Sequence, residues 1–248
     1  MDSGVHVVLK AEELGSFFGF PITNALLMSW LVLILLIGFA VHFRRTISLI
    51  PGKLQTAIEW AFEGAMDYIA ETLGSEVLAR RFFPLLATIF LFIFTANELE
   101  FFPGVGSVGL REGHGLIPFL HTPTADLNLT LALAFIAFFT IEITSIAALG
   151  AFKYVSKYVT LSSPVNFVVG LIEFLSNLGR LISFSFRLFG NIFAGEVMIL
   201  VISSFVPFIL PAPFMAFEMF IGLIQAIVFS MLTLFFIKLA IMDPHESH

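Results

Sequence analysis

The 248-residue chain is 58% hydrophobic and only 12% charged, with 32 phenylalanines, a mean hydropathy of +1.01 and a net charge of −6. A soluble domain is nearer 25% charged, so this chain lacks the polar side chains to cover a water-facing surface of its size, which leaves an integral membrane protein. There is no cysteine, which excludes disulfides and cysteine-based metal sites.

The first 20 residues hold Asp2, Glu12 and Glu13 against Lys10, whereas a signal peptide opens on a basic stretch. Residues 1–24 therefore read as a segment ahead of the first span. A bilayer core of about 30 Å needs about 20 apolar residues in a helix. Residues 25–43 fit, with no Asp, Glu, Lys or Arg. In 54–73 the acids Glu59, Glu63, Asp67 and Glu71 recur every fourth residue, opposite Ile58, Ala61, Phe62, Ala65, Met66 and Ile69. That pattern predicts an amphipathic helix lying on the membrane or against a partner. Its acidic face argues against binding to anionic lipid.

Residues 82–99 form the second span. The loop 100–125 follows, rich in Gly and Pro; its PGVGSVG lacks the lysine of a phosphate cradle. His114 and His121 read as solvated loop residues, because two histidines fall short of a metal's ligand set. Residues 126–149 form the third span, with Glu142 as its one acid inside the membrane. Two overlong apolar segments, 164–206 and 214–241, come last, ahead of a tail at 242–248.

Five spans put alternate loops on opposite sides. Arg44, Arg45, Lys53, Arg80, Arg81, Lys153, Lys157 and Lys238 collect on one side, and Lys10 and Arg111 on the other. Positive charge marks the cytoplasmic side, so the N-terminus is expected outside and the C-terminus in the cytoplasm.

The 43 residues of 164–206 would make a helix ~64 Å long and the 28 of 214–241 one of ~42 Å. Both exceed the hydrocarbon core, and mismatch is relieved by tilt or kinking. The expected arrangement is an antiparallel hairpin of two steeply inclined helices joined at VPFILPAP. A break near Gly190, with one half upright, is the alternative. Along the first helix Glu173, Ser176, Arg180, Ser183, Arg187 and Asn191 follow steps of three and four, a single polar stripe. In lipid such a stripe must face protein or water. Glu218, Gly222 and Gln225 share a face of the second helix. Antiparallel pairing sets Glu196 level with Glu218, Arg187 with Gln225 and Glu173 with Lys238. Glu196 lies nine residues after Arg187, ~180° around an ideal helix, so the two point opposite ways.

An arginine stays charged in the bilayer and at mid-span costs at least ~2.5–3.5 kcal/mol. It needs an anion, from its own chain or from a neighbouring subunit that comes and goes. Glu196 and Glu218 at one depth form an interacting acid pair able to share and relay a proton, or two acids merely satisfied by hydrogen bonds. Glu173 sits at the cytoplasmic end. Acids thus approach from both sides with Arg187 between them, and Ser183 and Glu142 are further path candidates.

RLFGNIFAGE at 187–196 resembles the signature of subunit a of rotary, proton-driven ATP synthases. LIQAIVFSMLT at 223–233, PTADLNLTLALA at 123–134 and FFPLLATIFLFIFTANEL at 82–99 resemble further patterns of that family, in the same order. The resemblance runs from about Ile22 to Met242. It implies an all-α membrane protein of five transmembrane helices and one membrane-surface helix, multi-pass in a bacterial inner membrane and not an enzyme on its own. It also implies that Arg187 faces a rotating ring of c-subunits, each with a membrane carboxylate, and that Asn191 and Gln225 are its polar neighbours. Glu196 resembles the acid of the outer half-channel and Glu173 one lining the cytoplasmic half-channel. The family varies at the position of Glu218. Implied partners are the c-ring, b-type stalk subunits, lipids and transported protons; no cofactor, metal or nucleic acid is implied. A self-contained channel or secondary transporter, which usually shows internal repeats, and a purely structural membrane anchor are the competing readings.

Overall fold

A computed structural model of the chain describes residues 12–17, 19–102, 105, 108–112, 115–150, 154, 164–207 and 209–241. The 242–248 tail and residues 1–11, 18, 114, 153 and 157 lie outside the described residues, as do the side chains at 111 and 173. Among the described residues six helices dominate: α1 (Asn24–Thr46), α2 (Lys53–Leu73), α3 (Glu76–Leu99), α4 (Leu127–Leu149), α5 (Pro164–Phe205) and α6 (Pro211–Ile241). All except α2 are long and apolar enough to cross a membrane. The protein is an all-α integral membrane protein with two small additions. Strands β1 (Glu13–Phe17) and β2 (Phe20–Thr23) form one antiparallel hairpin, and β3 (Gly109–Glu112) and β4 (Gly115–Pro118) form another. Runs of four or five residues are too short to announce themselves by alternation.

Short polar residues open the helices. Thr23, Ser75 and Asp126 accept hydrogen bonds from the first-turn amides of α1, α3 and α4. Gly74, at φ 66°, closes α2 in the left-handed region and turns the chain straight into α3. Helices α5 and α6 both begin on proline, which a first turn tolerates because its amide has no helical partner. The hairpin turn is therefore shorter than the sequence suggests, and α6 starts at Pro211. Helix α5 runs unbroken through Gly190 for 42 residues, or ~63 Å, so the broken alternative does not hold.

α3 sits between α2 and α6, and α4 packs on both α5 and α6. Between helices in lipid there is little hydrophobic driving force, so close packing of small residues matters. Ala134, Ala137 and Ala226 are fully buried where α4, α5 and α6 meet. Phe184 of α5 packs on Phe229 and Phe236 of α6 with ring centroids 5.2 and 5.5 Å apart. The hydroxyls of Thr130 on α4 and Ser185 on α5 pair at 3.0 Å. Buried Asn97 of α3 donates to the Gly222 carbonyl of α6 at 3.1 Å and accepts from Thr124. It thereby pins α3, α6 and the turn Pro123–Ala125 together.

Candidate functional site

Helix α5 divides its polar residues between two directions. Leu181, Phe184, Leu188 and Ile192 are buried against the rest of the chain. Ser176, Ser183, Arg187 and Asn191 are exposed on the other face, among exposed Leu175, Ile182 and Phe186. Arg187 Nη2 makes one long contact, 3.5 Å, to Ser183 Oγ. Asn191 Nδ2 donates to the Arg187 carbonyl oxygen at 2.8 Å. Among the described residues no carboxylate lies within ion-pair distance of Arg187. Arg180, half-buried, differs: its guanidinium stacks on Phe236, 4.8 Å from the ring centre, which partly offsets its charge.

Nine residues along, Glu196 points inward. Its Oε1 lies 3.5 Å from His121 Nδ1, and its carboxyl is hydrogen-bonded to that of Glu100. Two carboxyls bond to each other only when a proton sits between them. Burial raises the Glu100 pKa above its ordinary value, opposed by the Thr122 and Glu196 side chains. Burial lowers that of His121, opposed by the negative charge of Asp126. Glu218 of α6 closes the group. It is 2% exposed, and neither carboxylate oxygen has a hydrogen-bond partner among the described residues. It rests directly on Gly195, where any Cβ would collide with its carboxylate, so the glycine before Glu196 is what lets the two acids of α5 and α6 approach.

The structure thus brings Glu196 and Glu218 together and turns Arg187 away from both. Gln225 is part-exposed on α6, two turns from Glu218. Glu173 lies on α5, 23 residues before Glu196 and so ~35 Å away. Glu142 is part-buried on α4, 16 residues past Asp126 and so ~24 Å farther along that helix. Glu100 and His121 are the members that sequence reasoning did not gather. Glu100 follows Asn97 by three residues in ANELE, so the end of α3 carries both toward Gly222 and Glu218. His121 is not a solvated loop residue but 28% exposed, beside the buried Thr122–Asp126 stretch. Among the described residues no three His, Cys, Asp or Glu side chains are placed to hold a metal.

A family model described as ATP synthase A chain matches residues 26–238, which include every residue of this site. The chain belongs to that family. The ATP synthase subunit a of Campylobacter curvus is 35% identical over 203 residues, covering 82% of this chain and 84% of its own. That of Campylobacter hominis is 34% identical over 236 residues, covering 94% and 96%, and that of Campylobacter jejuni is 35% identical over 206, covering 82% and 83%. Membership in this family makes the chain a component of an ATP synthase complex.

Proposed function

We propose that this chain is the proton-conducting stator subunit of a bacterial rotary ATP synthase, without catalysis of its own. It lies in the inner membrane with its N-terminus outside and its C-terminus in the cytoplasm. Its partners are a ring of c-subunits, the b-type subunits of the peripheral stalk and the surrounding lipid. Two offset half-channels load and unload the ring: Glu196 and Glu218 serve the outer one and Glu173 the cytoplasmic one, with Glu142 and Ser183 as further path residues. Asn191 and Gln225 flank Arg187, which separates the two paths. Helix α2 lies along the membrane surface, and α5 and α6 incline steeply past the ring.

The observation that carries this reading is the exposed Arg187, with no acid of its own chain beside it among the described residues. A permanent cation on an apolar face calls for an anion from outside the chain. A ring carboxylate 4 Å away, at an effective dielectric constant near 20, gains ~4 kcal/mol as an anion. That attraction favours proton release on arrival and bars a protonated site from passing. The same charge repels protons hopping straight from one half-channel to the other. A membrane voltage adds ~2.3 kcal/mol per charge per 100 mV, enough to bias each step.

The decisive experiment is Arg187→Ala in the whole complex. ATP-driven proton pumping disappears, while the complex still assembles and hydrolyses ATP in detergent. Pumping that survives the substitution sinks the proposal. The isolated chain in liposomes conducts protons poorly; fast conduction by it alone favours a self-contained channel instead.

A further inference from the structure

His121 stands where the outer loop runs into the Pro123–Ala125 turn. The next residues are locked: Thr122 is 1% exposed, Thr124 0% and Asp126 7%. The ring is therefore carried on a buried stretch of backbone. Asp126 at the start of α4 and Glu196 on α5 act on it directly, and Glu100 at the end of α3 and Glu218 on α6 act in turn on Glu196. Exposure falls along the series from His121 at 28% to Glu196 at 20% and Glu218 at 2%. The imidazole is thus wetter than Glu196, and Glu196 wetter than the fully buried Glu218.

We propose that His121 is the inlet relay of this site, taking protons from the outer water and handing them to Glu196. The inference rests on the proton-conducting function proposed above. Its Nδ1 faces Glu196 Oε1 at 3.5 Å, and a modest closure of about half an ångström brings the two to hydrogen-bond distance. In the step, Nε2 gains a proton from a hydronium ion or buffer acid. The Nδ1–H bond breaks and that proton joins the Glu196 carboxylate. The imidazole ends neutral as its other tautomer, and rotation of the ring resets it. Burial keeps the ring neutral at pH 7, the state in which one nitrogen accepts while the other donates. Glu196 and Glu100 share a hydrogen bond, so a proton arriving at Glu196 enters an acid group rather than a dead end.

The test uses the assembled ATP synthase in liposomes, with His121→Ala and His121→Gln. ATP-driven pumping and proton-driven synthesis fall by about tenfold in both, the low end of what positioned acid–base groups contribute. Added imidazole restores the His121→Ala rate in a dose-dependent way, whereas 1,3-dimethylimidazolium, which carries no transferable proton, does not. A packing role cannot produce that difference. Unchanged pumping in either variant overturns the relay, and so does a loss in His121→Ala that imidazole leaves untouched. Should His121→Ala fail to assemble, His121→Gln decides: reduced flux supports the relay and full flux refutes it. Arg187→Ala runs beside them. If that variant pumps, the proposed function itself falls; if it is dead while His121→Gln pumps fully, only the relay does.

Discussion

Gly195→Ala tests whether the Glu218 carboxylate has to sit where it does. A Cβ at position 195 overlaps Oε1 and Cδ of Glu218 and comes within 2.7 Å of Oε2. Carbon and oxygen rest at about 3.3–3.6 Å even in weak hydrogen bonds, so the carboxylate has to retreat by roughly one and a half ångströms. The atoms displaced are the free end of a flexible side chain, so the two backbones can stay in place. An off-rotamer glutamate costs about 0.5–1.5 kcal/mol, small beside the ~5–15 kcal/mol that holds a typical fold. Assembly should therefore survive. Transfer chemistry is less forgiving, since a ~1 Å misplacement can slow a reaction by ~100-fold. The expected outcome is normal amounts of the subunit in the membrane, by immunoblot, with ATP-driven proton pumping in inverted vesicles down by about 10- to 100-fold. Adding Glu218→Asp, one methylene shorter, makes room for the new methyl and restores part of the rate. Gly64→Ala on α2, where a Cβ meets nothing within 4 Å, is the control and should pump normally. Undiminished pumping by Gly195→Ala, or no gain in the double variant, would refute the reasoning.

Gly222→Ala probes the neighbouring contact, where a Cβ comes within 2.9 Å of the Asn97 Cβ. That atom is close to the backbone and cannot swing aside, so the variant should lose about 1–3 kcal/mol, read as a lower melting temperature of the purified complex in detergent. Glu100→Gln tests the sign of a titration. The raised pKa of Glu100 means the folded protein binds its proton more tightly than the unfolded chain does. Its contribution is then fully present below the ordinary value of 4.5 and is lost as pH rises through the folded value. His121, lowered from 6.5, works the other way, adding stability as pH rises toward that value. Glu100→Gln should therefore flatten the decline of melting temperature with rising pH; an unaltered slope counts against the buried proton.

The five long helices were legible because membrane spans need only length and apolarity, and residues 25–43 or 214–241 have both. Opposed directions for Arg187 and Glu196 were legible too, because nine steps of a regular helix fix an angle wherever the helix lies. Glu100 and His121 were not, for a physical reason. They reach the acid group through the end of α3 and the segment that leads into the Pro123–Ala125 turn, where no periodicity constrains position. Asn97, which holds these ends together through Gly222 and Thr124, looks in sequence like one more polar residue at a helix terminus. The short β-hairpins escaped for the same reason, since four or five residues carry too little pattern.

On the proposed function, the half-turn between Arg187 and Glu196 has a mechanical meaning. One rigid helix presents a cation to the rotor on one side and an acid to the outer path on the other, ~13 Å apart along its axis. Rotating α5 to bring Glu196 toward the rotor would swing Arg187 into the core, where Leu188 and Ile192 are buried to within 1% and a charge costs several kcal/mol. The packing of Phe184 on Phe229 and Phe236 opposes such a rotation, so the stator cannot carry protons past itself by moving. The carboxylate that travels must then belong to the ring. A stator whose charges are fixed back to back on one braced helix leaves rotation of its partner as the one low-barrier way for a proton to get from the outer acids to the cytoplasmic side.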